Sequence, residues 1–459
     1  MANLKKLSTS KSLEHQLKAT LIDVFTQNEL ANPRLVLAFS GGLDSTVLLH
    51  LLAECRKTFS FQLSAQYVHH GLSPNADDWA DFCQQVCLKL NIPFALSKVN
   101  INKNSGLGIE ATARETRYKA LLSVDADFIC LAHHQDDQAE TLLLQLARGA
   151  GVKGLAGMAA VNGKLLRPLL EVPLSHLEAY AMQHQLTWVE DESNADTRFD
   201  RNFMRHKVLP ILEETYPSIR QTLGRSALHM ADANELLDEL ALIDASQAGF
   251  HPDKSTTISL STFKNLSEHR VNNCLRWWLA QNSLQMPSQQ QLQQITQQLM
   301  HAKQDAAIEL KVSETCTLRR YQNHAYLVQE LPPNAPINWL WQGEEVIDLS
   351  NKTQLIFNKK MGEGISLRKI ENAALRIKFR EGNERFKPQL GRPYRSLKVM
   401  LQNVDMPPWQ RARLPLIFMD DTLVVIPNIG VDANLQASCD EMGLVVNWID
   451  YKELGAVVD

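Results

Sequence analysis

Four apolar, strand-like runs alternate with helix-like segments in the first third of the chain. The runs predict strands at 34–39, 61–68, 93–99 and 127–132. Apolar periodicity between and after them predicts helices at 44–57, 75–91, 109–124 and 136–148. Repeated β-α units of this kind build a parallel, doubly wound α/β sheet, and its ligands bind at the carboxyl ends of the strands.

A chain of 459 residues is too long for a single hydrophobic core, and its pattern of apolar residues changes twice along the sequence. We expect an α/β domain at 1–217, a helical domain at 218–332 and a small α/β or mostly β C-terminal domain at 333–459. In the middle domain Leu292, Ile295 and Leu299 share one face of a predicted helix. The sequence LPPNAP at 331–336 is typical of a linker, and strand-like runs follow at 375–379 and 423–426.

Composition narrows the class of protein further. None of the seven cysteines forms a C-x-x-C pair, which argues against zinc, iron-sulfur and redox chemistry. No apolar run approaches membrane-spanning length, so we expect no membrane partner and a cytoplasmic location. The net charge is -4, yet the segment 367–413 holds twelve Lys or Arg against four acidic residues. That segment is a candidate phosphate-contacting face, with an ordinary basic surface as the alternative.

The sequence SGGLDS at 40–45 joins the first predicted strand to the first predicted helix. Unpaired backbone N–H groups at such a helix start form an anion site. Two glycines allow close approach, two hydroxyls add donors, and one carboxylate can bring Mg²⁺ to bound phosphates. We therefore predict phosphate contacts along Ser40, Gly41, Gly42, Leu43, Asp44 and Ser45. The alternative is a tight turn with a capped helix, which needs neither both glycines nor both serines.

On this turn, SGGLDS resembles the PP-loop of the N-type ATP pyrophosphatases, which cleave ATP between the α- and β-phosphates. Three further stretches resemble the tRNA(Ile)-lysidine synthetase family: EATARETRY at 110–118, AHHQDDQAET at 132–141 and RNFMRHKVLP at 201–210. The resemblance extends over nearly the whole chain. It implies that ATP adenylates C2 of the wobble cytidine in the isoleucine tRNA with a CAU anticodon. The amine of L-lysine then displaces AMP to give lysidine, which shifts codon reading from AUG to AUA.

The chemistry of the polar residues gives them candidate roles in such a reaction, and the geometry of the fold gives one to the backbone of Val68. Asp44 would hold Mg²⁺, Arg114 would supply positive charge for the departing pyrophosphate, and His133 and the backbone of Val68 would contact ATP. Free lysine's ammonium has a pKa of about 10.4 and must be held by carboxylates and lose a proton before attack. Asp137 and Glu140 lie three residues apart on one helix face and are the candidates for lysine.

Basic side chains provide candidate contacts to lysine and tRNA. Arg205 is a candidate partner for a carboxylate or a phosphate. Trp409 and Tyr394 lie among basic residues in the sequence. This pattern suits stacking on unpaired nucleotides, although Trp409 fits an apolar core equally well. The candidate tRNA contacts are Arg201, Arg205, Lys207, Arg392, Arg395, Lys398 and Arg411. The sequence leaves open whether the chain is a monomer or a homodimer.

Each of these residues also has a structural alternative. Acids in a first helical turn often serve the helix dipole, histidines in loops are often simply hydrogen-bonded, and Arg114 and Arg117 could form surface ion pairs with Glu110. Two other functions stay open. A PP-loop tRNA thiolase usually needs catalytic or cluster-binding cysteines, which the isolated cysteines here do not suggest. A non-enzymatic tRNA-binding protein does not need the intact Ser40, Asp44 and Ser45.

Overall fold

The structure is a computed structural model of the chain. It describes all residues except 1, 101–108, 248–255, 302–307, 331–336, 350–352, 372, 405 and 451–459. The linker expected at 331–336 lies outside this part, as does the side chain of Glu110. The chain divides into two compact units, Met1–Leu236 and Leu237–Asp459.

The first unit contains a six-stranded sheet in the order β3-β2-β1-β4-β6-β5. Its strands are β1 Arg34–Ala38, β2 Gln62–His69, β3 Phe94–Lys98, β4 Phe128–Cys130, β5 Val161–Asn162 and β6 Leu165–Leu166. Strands β1 to β4 are parallel, β6 is parallel to β4, and only the edge pair of β5 and β6 is antiparallel. The predicted parallel α/β sheet is therefore confirmed, with its four main strands within two residues of the expected ends.

The helices of this unit follow the predicted alternation. They are α1 Ala2–Gln27, α2 Leu43–Cys55, α3 Ala76–Lys89, α4 Ile109–Leu122, α5 Gln135–Ala147, α6 Val152–Leu155, α7 Leu174–Gln183, α8 Asp200–Phe203, α9 Leu209–Thr215 and α10 Ile219–Ser246. Residues 237–246 of α10 belong to the second unit. The sequence analysis missed α1, although Leu13, Leu17 and Leu21 recur at helical spacing and are all buried.

Helices cover both faces of the sheet. Alternate side chains of β1 point to opposite faces, so Leu35 and Leu37 pack with α2 whereas Val36 and Ala38 pack with Leu121 of α4. Helix α2 is enclosed by protein, because five of its apolar side chains are completely inaccessible to solvent. These are Val47, Leu48, Leu49, Leu51 and Leu52.

The second unit begins with helices and a four-stranded antiparallel sheet in the order β7-β10-β9-β8. The predicted helical faces are confirmed, since Leu292, Ile295 and Leu299 are buried. The sheet was not predicted, because two of its strands have only three residues each. The elements are β7 Thr257–Ser259, α11 Glu268–Gln281, α12 Gln289–His301, β8 Glu309–Lys311, β9 Cys316–Tyr321 and β10 His324–Gln329.

Two further antiparallel sheets, with orders β11-β15-β18-β19-β20 and β12-β13-β21-β14, and a two-stranded β16-β17 ribbon complete this unit. The strands expected at 375–379 and 423–426 are confirmed as β15 and β19. The elements are β11 Asn338–Leu340, β12 Val346–Leu349, β13 Thr353–Met361, β14 Ile365–Ser366, β15 Leu375–Phe379, β16 Arg385–Phe386, β17 Arg395–Ser396, α13 Leu397–Asn403, α14 Pro408–Arg411, β18 Pro415–Met419, β19 Thr422–Ile426, β20 Gly430–Val431 and β21 Met442–Asp450.

Candidate active site

Residues 40–45 form a tight loop between β1 and α2. Gly41 has a φ of +82°, and a Cβ there would lie 3.0 Å from both Cys83 Sγ and Val189 Cγ2. The Ser40 and Ser45 hydroxyls lie 3.1 Å apart. Gly42 is the N-cap of α2, so the first N–H groups of that helix face the carboxyl edge of the sheet. The loop therefore has the strand–turn–helix geometry expected from the sequence, and its phosphate contacts stay a prediction.

Asp44 and His134 bring the first and fourth β-α turns together. His134 follows β4 and caps α5, and its Nε2 lies 3.6 Å from Asp44 Oδ2 and 3.6 Å from Asp137 Oδ2. Burial alone would lower the pKa of His134, but the neighbouring carboxylates raise it on balance. The sequence analysis selected His133 and missed this contact of its neighbour with the phosphate loop.

Two carboxylates of α5 and two guanidiniums from a later segment form a charge cluster, which we define as Asp137, Glu140, Arg201 and Arg205. Glu140 is completely buried and accepts from Arg201 Nε at 2.8 Å and Arg205 Nε at 2.5 Å. Asp137 Oδ1 accepts from the Nη2 atoms of the same arginines at 2.8 and 3.2 Å. Burial raises the pKa of Asp137, but His134 and Arg201 outweigh it and hold the pKa below its usual range. The charge cluster therefore holds equal numbers of both charges.

The arginines of the charge cluster come from a distorted helical stretch. Arg201 lies in α8, and Arg205 lies in the π-helical turn Met204–Val208 that leads into α9. π-Helical turns are rare and are frequent at functional sites. The segment RNFMRHKVLP thus meets the α5 carboxylates although more than 60 residues separate them in the chain.

Asp136 has different hydrogen-bond partners from its neighbour Asp137. Its Oδ1 accepts the Leu174 N–H at 3.1 Å, and its Oδ2 accepts Arg220 Nη1 at 2.9 Å. Arg220 also donates to Glu213 Oε1 at 2.6 Å, so Asp136 ties α5 to the start of α10. The sequence analysis did not identify Arg220.

The remaining candidates for ATP contact lie around the same edge. Val68 is buried near the end of β2, and burial lowers the pKa of His133 to about 3, which keeps its ring neutral. Arg114 is exposed, with its guanidinium carbon 5.4 Å from the centre of the Tyr118 ring. Arg117, which the sequence analysis left without a role, lies nearer the sheet. The pKa of its guanidinium is lowered by burial.

The candidate tRNA contacts differ in their surroundings. Lys207 is exposed, as are Arg392, Arg395 and Lys398 in the second unit. Arg411 is buried, and it donates to Met406 O at 2.6 Å and to the Tyr321 hydroxyl at 2.8 Å. Its guanidinium is committed to contacts inside the second unit.

Trp409 is half-buried in an aromatic cluster of the second unit. Its ring centre lies 5.3 Å from that of Tyr326 and 6.3 Å from that of Tyr321, and the Arg319 guanidinium carbon lies 5.6 Å from it. These contacts show that Trp409 packs within the second unit, which is the alternative to nucleotide stacking that the sequence left open.

Few of the described side chains are placed to bind a metal ion. Within the described residues, no group of three or more His, Cys, Asp or Glu side chains is arranged to hold a metal ion. Asp44 Oδ1 is buried and has no hydrogen-bond partner in this part of the chain. One carboxylate beside bound phosphates suits Mg²⁺, which keeps several water ligands and needs no all-protein cage. Within the described helices, none is long and apolar enough to cross a membrane.

Comparisons with known families agree with this geometry. Residues 11–212 match the model of the PP-loop domain, 258–326 match the TilS substrate binding domain, and 375–448 match the TilS substrate C-terminal domain. The first match contains both the phosphate loop and the charge cluster, so ATP use is expected of this domain.

Similar proteins span nearly the full chain. The tRNA(Ile)-lysidine synthase of Nitrosomonas europaea is 42% identical over 90% of this chain and 92% of its own length. Those of Actinobacillus pleuropneumoniae serotype 3 and Aromatoleum aromaticum are 41% and 38% identical, over 85% and 90% of this chain and 95% and 97% of their own lengths. The chain therefore belongs to the tRNA(Ile)-lysidine synthase family.

Proposed function

We propose that this protein ligates L-lysine to C2 of the wobble cytidine in the CAU-anticodon isoleucine tRNA and releases AMP and pyrophosphate. The observation that supports this most directly is the meeting of the phosphate loop and the charge cluster at one sheet edge. His134 lies within 3.6 Å of Asp44 on one side and of Asp137 on the other. A nucleotide and an amino acid bound at these two places would be neighbours.

The phosphate loop binds the β- and γ-phosphates in this proposal. Its backbone N–H groups and the Ser40 and Ser45 hydroxyls contact the pyrophosphate portion, and Val68 and His133 line the nucleotide site. Asp44 would hold Mg²⁺, which would neutralise charge on the leaving pyrophosphate. Arg114 stays a candidate second cation for this charge.

The charge cluster binds free lysine in this proposal. Lysine carries both signs of charge, and the cluster offers carboxylates for its amines and guanidiniums for its carboxylate. Asp137 and Glu140 would hold the amines, and Arg205 would meet the α-carboxylate. Once its attacking amine has lost a proton, bound lysine has no net charge, so it would exchange partners within an already balanced set and leave no buried charge alone.

The remaining segments serve tRNA binding in this proposal. We assign catalysis to 1–217, substrate binding to 218–332 and further tRNA contacts to 333–459, with Arg392, Arg395 and Lys398 meeting phosphates. Arg201 and Lys207 would do so near the active site, and Arg411 has the least support because it is buried. A tRNA substrate places the reaction in the cytoplasm. Light scattering distinguishes a monomer from a homodimer.

Incubation with ATP, Mg²⁺, labelled lysine and isoleucine tRNA transcript tests the function. We expect label in the tRNA, with AMP and pyrophosphate as products. A methionine tRNA transcript with the same anticodon is the control substrate, and Asp44→Asn is the control variant that should block AMP release. Formation of ADP and orthophosphate, or lysine transfer without ATP, would contradict the proposal.

A further inference from the structure

The sheet presents two different walls to a ligand at its carboxyl edge. The strand order β3-β2-β1-β4 reverses direction at β1, so right-handed crossovers put α2 and α3 on one face and α4 on the other. The packing of β1 agrees with this, since Leu37 faces α2 and Val36 faces α4. The phosphate loop belongs to the α2 face. The opposite wall is formed by α4, and Arg117 of that helix has no role in the proposed function.

Two pairs of histidines, His69–His70 and His133–His134, follow β2 and β4, the strands that flank β1 in the sheet. In each pair one member faces α2 and α3: His69 Nε2 lies 3.3 Å from Asp77 of α3, and His134 Nε2 lies 3.6 Å from Asp44 of α2. Because successive side chains alternate between faces, the other members, His70 and His133, belong to the α4 face. In both of these the Nδ1 atom is buried and lacks a hydrogen-bond partner in the described part of the chain.

Arg117 is a cation of α4 on this wall. It precedes the fully buried Leu121 by one helical turn, so its side chain leaves α4 on the face that packs against the sheet. Burial lowers the pKa of both His70 and His133. Positive charge lowers each pKa further, from Arg117 at His70 and from Arg201, Arg167 and Arg117, in falling order, at His133. Arg117 is therefore a positive charge that acts on both rings.

Arg117 also differs from the arginines of the charge cluster. Among the described residues no carboxylate pairs with it, whereas Arg201 and Arg205 each contact two. A half-buried guanidinium without a counter-ion costs free energy in the ligand-free protein, less than a fully buried one would. A bound anion would offset that cost, and the unpaired ring nitrogens of His70 and His133 could complete its hydrogen bonds.

We propose that Arg117, flanked by His70 and His133, binds the α-phosphate of ATP from the sheet face opposite the phosphate loop. This inference rests on the proposed function. In the adenylation step the oxygen on C2 of cytidine attacks the α-phosphorus, the bond from that phosphorus to the bridging oxygen breaks, and pyrophosphate leaves with the electron pair. Arg117 stabilises the charge on the non-bridging α-oxygens and stays with AMP, while the loop retains the pyrophosphate.

The test compares Arg117→Met and Arg117→Lys with Lys119→Met. Lys119 lies on the same helix but is exposed, and it pairs with Glu115 at 2.6 Å. The assay follows single-turnover transfer of label from [α-³²P]ATP to isoleucine tRNA without lysine. We expect Arg117→Met to lower the rate about 10²- to 10³-fold, as for loss of one oxyanion donor. Arg117→Lys should recover at least about tenfold of that loss, and Lys119→Met should stay within about twofold of wild type.

Thermal unfolding without ATP separates catalysis from structure. Arg117→Met should keep or raise the Tm, because it removes a half-buried charge that no described carboxylate balances. An Arg117→Met rate within about threefold of wild type, or a joint loss of rate and Tm that Arg117→Lys restores together, would overturn the inference. Wild-type protein that transfers no α-phosphate label to tRNA would instead refute the proposed function itself.

Discussion

Replacing Glu140 with glutamine removes a completely buried charge and keeps the shape of the side chain. The carboxylate accepts three hydrogen bonds, from Arg201 Nε at 2.8 Å, Arg205 Nε at 2.5 Å and Arg205 Nη2 at 3.0 Å. Glutamine keeps one acceptor oxygen, but its amide NH₂ would face a guanidinium donor. Asp137 would be left to balance both arginines.

The size of the loss follows from these contacts. Breaking a buried ion pair costs about 3–5 kcal/mol, and the remaining amide oxygen recovers part of it, since a hydrogen bond to a charged group contributes about 1.5–3 kcal/mol. We expect Glu140→Gln to lower the free energy of unfolding of the first unit by about 2 kcal/mol. For a unit of this size that corresponds to a fall in Tm of about 4–8 °C.

Scanning calorimetry of the full chain measures this fall. Asp200→Asn is the matched control, because it breaks the exposed pair of Asp200 with Arg148 at 2.9 Å and should change stability by less than about 1 kcal/mol. In activity assays Glu140→Gln should raise the lysine concentration needed for half-maximal rate. Equal Tm values for the two variants, or wild-type lysine dependence, would refute the reasoning.

Three further changes test other parts of the chain. Gly41→Ala places a Cβ at positive φ, 3.0 Å from two side chains, and should cost about 1–3 kcal/mol of stability and weaken ATP binding, as measured by calorimetry. The folded-state pKa of His134 is raised, so its stabilisation is full below about pH 6.5 and is lost as the pH rises through the folded pKa. Urea unfolding should therefore separate wild type from His134→Gln more at pH 5.5 than at pH 8.5, and a pH-independent difference would contradict this. Neutralising Arg392, Arg395 and Lys398 together should lower the salt slope of tRNA affinity by about 2–3, whereas an unchanged slope removes them from the tRNA contacts.

The catalytic fold was predictable because its signals are local. Each strand and helix of the β-α units has its own apolar pattern. The burial of Leu37 and Leu121 can be predicted from the spacing of the apolar residues around them. Helix α1 carried the same signal, with Leu13, Leu17 and Leu21, and could have been found. The sheet of the second unit was harder, because a strand such as Thr257–Ser259 is too short to show a period.

The candidate site was predictable only in part, for a physical reason. SGGLDS and the pair of Asp137 and Glu140 are local motifs, so their residue types revealed their chemistry. Their partners come from distant segments. Arg201 pairs with Glu140, which lies 61 positions earlier in the chain, and His134 lies near Asp44 because β4 and β1 are neighbours in the sheet. Pairings of that kind depend on how strands are ordered, which spacing within one segment does not encode.

Helix α2 begins at the phosphate loop and is enclosed by the core over most of its length. Its first turn cannot shift without repacking residues such as Leu48 and Leu51, so the loop takes its shape from the interior of the unit rather than from its ligand. ATP then meets a preformed site and orders little backbone when it binds. Heat inactivation should consequently coincide with melting of the whole unit, with no earlier stage in which a folded protein has lost its nucleotide site.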